Sequence, residues 1–320
     1  MKEIKFPPIT KPLKGSPILK KNGIIYPNGA EMSVFVRNGK LLGLNNHWGG
    51  YNGSEYSCAT IVDYFTCERG KPFGKENCRF YQAFCEGGDR VYVYATEKNK
   101  VHQFVSDDLI HWEESIAFEF PEIFECFNTS VCKGENGYVM AIECGGAKDG
   151  DYPDLKDPEN PYIGERFTEF FATSPDLVNW KLMPFENGYT KDRYNACPAL
   201  KYCEGYYYMI CLESLPCWRW APYIYRTKDF ETWEVGFYNP MFIPSREDLT
   251  VKEGYTVPES KLNMMLMNLT TNNSDVDLCE FEGKTYIVYA TGNQGRTSGS
   301  CVAEITYDGP LDEFLKANFE

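Results

Sequence analysis

Hydrophobic and polar residues alternate along this chain in short runs, and the runs come in pairs joined by glycine turns. AEMSVFVRNGKLLGLNN (30–46) is two such runs meeting at Arg37-Asn38-Gly39, and Asn-Gly is a strong hairpin signal. YSCATIVDYF (56–65) adds a third, β-branched run. CRFYQAF and RVYVYATE flank a turn at Gly87-Gly88-Asp89 and are followed by KVHQFV. NTSVCK and YVMAIEC flank a turn at Gly134–Gly137, and RFTEFFAT comes later. PALKY and YYYMICLE meet at Glu204-Gly205, before PYIYR. DVDLCEFEGKTYIVYATGNQ (275–294) is a last hairpin, followed by SCVAEITYD. Period-two alternation of this kind predicts half-buried strands, and only LDEFLKAN near the C-terminus has helical spacing.

A phrase recurs behind three of these hairpins: SDDLIHW (106–112), SPDLVNW (174–180) and TKDFETW (227–233). Recurrence at this scale predicts a repeat architecture. Five units of three or four short antiparallel strands describe an all-β five-bladed β-propeller, with 1–320 as a single domain. The phrase falls at the turn between third and fourth strands. There its Asp can accept bonds from backbone amides and its Trp can pack between blades, so it is scaffold. Two insertions break the rhythm, at 148–165 and 241–274. The second carries Leu262, Met264, Met265, Leu266 and Met267, open to three readings: a plug over a pocket, a subunit contact in a homo-oligomer, or ordinary packing.

Composition narrows the partners. A formal net charge of −14 repels phosphate backbones and anionic lipid, so neither nucleic acid nor membrane is expected. The 13 cysteines contain no CxxC pair, which argues against zinc ribbons and redox motifs. Without an N-terminal signal-like apolar segment they are expected as reduced, small buried hydrophobes in a cytoplasmic protein. A cleaved signal peptide would reverse that expectation.

The hairpin CPALKYCEGYYYM (197–209) with the repeated Ser-x-Asp-Leu-x-x-Trp turns resembles the five-bladed propeller glycoside hydrolases of families 43, 32 and 117. The segment 272–294 is similar to the last blade of the family 117 and family 32-like proteins. The resemblance implies a central funnel lined by the first residues of each inner strand. It further implies carboxylates from different blades flanking a glycosidic bond, one giving a proton and the other activating water or attacking the sugar. Glu31 stands where family 43 places its general base. Asn128-Thr129-Ser130 replaces the Asp that tunes the acid, and Asn195-Ala196-Cys197-Pro198 replaces the Glu-Gly-Pro that carries it. Tyr26-Pro27-Asn28-Gly29 resembles the family 32 nucleophile motif with Tyr26 in place of Asp. Glu143-Cys144 resembles that family's acid motif but is set aside, because it ends the second strand of its hairpin.

The remaining acids at strand starts are Asp275 and Asp277, which on a regular strand face one side. His47 is a further candidate acid, since family 117 enzymes are thought to use a His. With Trp48 it lies among glycines that allow close backbone approach. The candidate catalytic residues are therefore Glu31, Asp275, Asp277 and His47, and the candidate substrate-binding residues are Trp48, Arg79, Asn128, Asn195, Glu213, Trp218 and Trp220. Indole rings suit the C–H faces of sugars, and Arg79 suits a hydroxyl or carboxylate. The expected activity is hydrolysis of a short oligosaccharide, with no cofactor. Some relatives hold an axial Ca²⁺, which no oxygen-ligand motif here demands. An inactive sugar-binding propeller is the alternative, as is a glycoside phosphorylase using Arg79, Arg193, Arg219 and Arg296 to hold phosphate.

Overall fold

A computed structural model of the chain describes residues 3–27, 31–49, 51, 55–122, 124–146, 167–190, 194–215, 219–267, 272–292 and 300–320, apart from the side chains of Arg219 and Met267. The N-terminal arm supplies β1 (Glu3–Lys5) and β2 (Leu19–Tyr26). Blade one is β3 (Met32–Arg37), β4 (Lys40–His47) and β5 (Cys58–Asp63). Blade two is β6 (Arg79–Cys85), β7 (Val91–Glu97), β8 (Lys100–Ser106) and β9 (Glu113–Glu119). Blade three is β10 (Phe124–Gly134), β11 (Gly137–Gly146), β12 (Thr168–Ser174) and β13 (Lys181–Leu182). Blade four is β14 (Asn195–Cys203), β15 (Tyr206–Leu215), β16 (Arg219–Thr227) and β17 (Thr232–Val235). Blade five is β18 (Asn272–Phe281), β19 (Lys284–Gly292) and β20 (Cys301–Tyr307).

The inner strands β3, β6, β10, β14 and β18 contact one another in a closed ring, so the chain is a five-bladed β-propeller. Neighbouring inner strands are not laddered; side chains stitch them. Ala83 N–H donates to Ser33 Oγ at 3.0 Å, Leu200 N–H to Ser130 Oγ at 2.9 Å, and Val34 N–H to Asp277 Oδ2 at 2.9 Å. The last of these joins blade five to blade one. Closure is reinforced by the arm, whose β2 adds an outer strand to blade five by pairing with β20, while β1 adds one to blade four beside β17. A sheet edge on each of those blades is thereby covered.

The repeated phrase forms the outer turns. Asp108, Asp176 and Asp229 each accept two backbone N–H bonds within their turn, at 2.8–3.0 Å. Trp112 stacks on Phe73 at 3.8 Å, and Trp233 is fully buried between Phe171 and Tyr189. Apolar faces between successive blades fill with such rings and with β-branched residues, which is where the core sits. Cysteines among the described residues form no disulfide; Cys126 and Cys144 face each other across β10 and β11 with sulfurs 3.9 Å apart.

The insertion at 148–165 lies outside the described residues. The one at 241–274 contains an α-helix that alternation had not suggested, α1 (Glu259–Met267); the expected C-terminal helix is α2 (Leu311–Ala317). Met265 of α1 packs on Ile24, Val257 and Cys301, beside β2 and β20. Deeper in the same insertion, Asp248 is fully buried and serves as a peg. Lys21 Nζ at 2.7 Å, Tyr289 Oη at 2.6 Å, Asn273 Nδ2 at 3.0 Å and the Ser245 N–H at 2.9 Å all donate to it. This ties the insertion to β2, β18 and β19, two residues before Asp275. Removing one partner of a buried ion pair leaves an uncompensated charge. Asp248→Ala is therefore expected to lower unfolding free energy by about 3–5 kcal/mol in urea titrations; a loss below about 1 kcal/mol would show that the peg is not structural.

Candidate active site

Four of the five inner strands begin with the same irregularity. Pairing skips from Arg79 to Gln82 in β6, from Cys126 to Thr129 in β10, from Ala196 to Ala199 in β14 and from Ser274 to Asp277 in β18. Each skip is a β-bulge that sets two residues against one and re-aims their side chains. The bulged pairs are Phe80-Tyr81, Phe127-Asn128, Cys197-Pro198 and Asp275-Val276. Phe80, Cys197 and Asp275 have φ of 56°, 53° and 51°, a region that non-glycine residues adopt at a cost. Pro198 is tolerated because a bulge position needs no ladder N–H. Blade one has no bulge, and Glu31 immediately precedes β3 with its carbonyl accepting the Asn46 N–H at 3.4 Å.

These starts bring Glu31, Glu143, Asp275, Asn128 and Cys197 together. Glu143 Oε2 accepts the Cys197 N–H at 2.8 Å and Asn128 Nδ2 at 3.1 Å, while Asn128 Nδ2 also reaches Cys197 Sγ at 3.5 Å. Asp275 accepts the Ser274 hydroxyl. Glu31 Oε2 and Asn128 Oδ1 are buried with no partner among the described residues. Burial and mutual repulsion govern the charge here. Burial first, then the charges of Asp275 and Glu143, raise Glu31 well above the usual carboxylate range. Glu143 is raised from 4.5 to about 7 by burial, against the pull of the Cys197 amide and Asn128. Asp275 is raised by burial and drawn back by Ser274 and the Cys197 thiol. Burial and the surrounding carboxylates push the Cys197 thiol upward too, so it stays protonated.

In sequence Glu143 lies near the end of the second strand of its hairpin, a place that excludes it from the strand starts. In an antiparallel hairpin that end lies beside the start of the first strand, and the bulge opposite Glu143 leaves it free to reach Cys197 in the next blade. Asp277 does not share Asp275's side, because the bulge breaks the alternation that would have aligned them. It accepts Val34 N–H and pairs with Lys201 Nζ at 2.9 Å, further along the axis. There it lines a cavity of about 230 Å³ with Gln82, Ser130 and Lys201, to which all five inner strands contribute. The Lys201 ammonium already neutralises Asp277, so these residues do not fit an axial Ca²⁺ at this level.

His47 is buried, bonded to Thr60 Oγ1 at 2.8 Å and stacked on Tyr51 at 4.1 Å. Burial and the Arg69 charge push it down to about 4, so near neutral pH it is the neutral imidazole and not the imidazolium that general-acid catalysis would use. Glu213 accepts from Asn195 Nδ2 at 3.3 Å and from the Tyr225 hydroxyl, which makes it a support for Asn195. Arg79 is exposed at the start of β6. Trp218, Arg193 and Arg296 lie outside the described residues, as does the Arg219 side chain. Trp48 is 45% exposed and meets Phe80 edge-on at 4.9 Å. Phe80 continues to Phe127 at 5.5 Å, Phe127 to Phe167 at 4.9 Å and Phe167 to Tyr194 at 5.3 Å, with half-buried Trp220 packed on the same cluster. Phe80 and Phe127 were not anticipated, because a ring on an inner strand reads as core until the bulge is known.

No family model matches the chain, and no curated protein matches it. Solved structures do. A glycosyl hydrolase from Bacteroides ovatus has 14% identity and a TM-score of 0.57, covering 96% of this chain and 94% of that one. The α-L-arabinofuranosidase PaAbf62A from Podospora anserina, solved with cellotriose, has 10% identity and a TM-score of 0.56, covering 97% of each chain. A family 32 β-fructofuranosidase from Bombyx mori has 11% identity and a TM-score of 0.54, covering 89% of this chain and 61% of that one. The chain thus has the fold of the propeller glycoside hydrolases. No helix among the described residues is long and apolar enough to cross a membrane.

The raised value at Glu143 makes stability depend on pH with a definite sign. A carboxyl whose pKa is higher folded than unfolded contributes stability that is present below its ordinary value and lost as pH rises through the folded value. For Glu143 that window runs from 4.5 to about 7. Glu143→Gln keeps an acceptor for the Cys197 amide and removes the charge. It is expected to gain on the order of 3 kcal/mol over wild type at pH 8, and much less at pH 5, by urea denaturation. An equal difference at both pH values would refute the shift.

Proposed function

We propose that the protein is a glycoside hydrolase acting on a short oligosaccharide at the axial mouth, with Glu31 as proton donor and Asp275 as the ionised partner. The observation that carries this reading is the meeting of Glu31, Glu143 and Asp275, drawn from three blades, with all three carboxyls pushed upward. Like charges so confined cannot all ionise, and a site that holds one carboxyl protonated beside one ionised has both halves of acid/base chemistry. Glu31 suits the acid because burial and two neighbouring charges, outweighing an Asn128 hydrogen bond, favour its protonated form, and its Oε2 has no hydrogen-bond partner among the described residues. Asp275 suits the base because Ser274 and Cys197 stabilise its charge.

In the reaction, Glu31 gives its proton to the glycosidic oxygen as the C1–O bond breaks. Asp275 accepts a proton from the water that attacks C1, and solvent exchange then resets both groups. The oxocarbenium-like centre gains anionic support from Asp275 and from the ionised fraction of Glu143. Trp48, Phe80 and Phe127 offer ring faces and edges to the C–H surfaces of a sugar, and Asn128 and Asn195 offer amides to its hydroxyls.

Cys197-Pro198 at the bulge where family 43 carries its acid favours a second reading, a propeller that binds sugar without turning it over. The same experiment separates the two. Wild type, Glu31→Gln and Asp275→Asn are assayed against aryl glycosides and short oligosaccharides, with calorimetry of sugar binding alongside. Each variant is expected to lose about 10²–10⁴-fold in kcat while still binding sugar. Activity within tenfold of wild type in either variant would remove that residue from catalysis. Tight binding by a wild type without turnover would establish the second reading.

A further inference from the structure

Away from the axis, blade two holds a cluster that the proposed chemistry does not use. Cys78 immediately precedes β6, Glu97 ends β7 and His102 lies near the start of β8. One ligand atom of each lies within 4.8 Å of the other two. Cys78 and His102 are almost wholly buried, while Glu97 keeps a quarter of its side chain open to solvent. His102 Nε2 is 3.1 Å from Glu97 Oε2. Two ligands each about 2.0 Å from a tetrahedral zinc stand about 3.3 Å apart, so this spacing already suits one ion between them.

The other face of the imidazole supplies the independent argument. His102 Nδ1 is 2.7 Å from Glu114 Oε1, and Lys75 Nζ donates to that same oxygen at 2.8 Å. A histidine that ligates metal through one nitrogen commonly donates its other N–H to a carboxylate, which fixes the tautomer and aims the ring. Here Glu114 already forms a hydrogen-bonded ion pair with Lys75, whereas the one side-chain hydrogen bond of Glu97 among the described residues is to His102. Cys78 Sγ has no hydrogen-bond partner among the described residues. A second grouping, Cys203, Glu204 and Asp312, contrasts with it: Lys316 bonds both carboxylates at 2.9 and 3.0 Å, and no histidine is present.

We propose that Cys78, Glu97 and His102 form a binding site for a borderline divalent cation of the Zn²⁺ class, with Glu114 positioning His102. Thiolate, imidazole and carboxylate together suit such an ion and disfavour Mg²⁺ or Ca²⁺. The thiol releases its proton on binding, so Cys78 and Glu97 as anions balance the two positive charges of the ion. Because Cys78 is joined directly to Arg79-Phe80, the ion would fix the start of β6 and with it the first bulge beside the axial mouth.

The test uses the whole protein, stripped with chelator and dialysed, with Co²⁺ as the optical probe and Zn²⁺ as competitor. The expected result is one equivalent of Co²⁺ with thiolate-to-metal charge-transfer absorption that Zn²⁺ displaces. That absorption is expected to vanish in Cys78→Ser and to persist in Cys203→Ser. Glu97→Gln, which keeps the side chain's size at a partly exposed position, should weaken binding at least tenfold, and Glu114→Gln about 10–100-fold. A wild type without the charge-transfer band would overturn the proposal and leave His102 as a hydrogen-bonding partner of Glu97 and Glu114 only. So would a band that survives in Cys78→Ser, or affinity unchanged in Glu97→Gln.

Discussion

Five strands that converge on one axis force whatever stands at their first residues into a shared small space, and the rest of the molecule is organised around that confinement. Glu31, Glu143 and Asp275 arrive there from blades one, three and five; burial raises all three, and the charges of neighbouring carboxylates add to that rise at Glu31 and Glu143. Holding like charges together costs free energy, so the surrounding scaffold has to be stiff. That stiffness comes from the cross-blade bonds at Ser33, Ser130 and Asp277, from the β2–β20 closure, and from the Asp248 peg beside Asn273. The outer Asp turns and their Trp residues hold the far side of blades two, three and four, away from the axial carboxylates.

The bulge decides which side chains take part. A regular strand would direct residues two apart to one face, and Asp275 and Asp277 would then act together. The extra residue sends Asp275 to the carboxylate cluster and Asp277 down the axis to Lys201. At the matching point of blade four the same device presents Cys197, a thiol that is protonated and bonded through its amide to Glu143. The chain thus has the fold of the propeller glycoside hydrolases, with carboxylates at the axial starts of blades one and five and a thiol at that of blade four.

Much of the fold was legible in the sequence, because alternation, glycine turns and a thrice-repeated turn phrase are local signals. The arm was not, since strands added from a distant segment carry no local mark; β2 takes its place by pairing with β20 and by bonding residues 250–252 of the long insertion. Helix α1 was missed because its apolar residues cluster rather than recur at helical spacing. In the site, Glu31 and Asp275 could be chosen from their places at strand starts. Glu143 could not be recognised without hairpin register, nor Phe80 and Phe127 without the bulges. One signal was present: aligning Arg79–Gln82, Cys126–Thr129, Ala196–Ala199 and Ser274–Asp277 puts Phe80, Phe127, Cys197 and Asp275 in one column. The ring of bulge residues around the axis is therefore written in the hairpins collectively, although no single hairpin shows it.

The confinement of protons is the central claim, and carbon-13 NMR titration of the side-chain carboxyls measures it directly. With glutamate and aspartate labelled, at least one glutamate is expected to keep its proton at pH 6 and to titrate near 7, and that signal is expected to be missing in Glu143→Gln. If every glutamate titrates near its ordinary value of about 4.3, the three carboxylates are not confined as described and the acid/base reading falls with them.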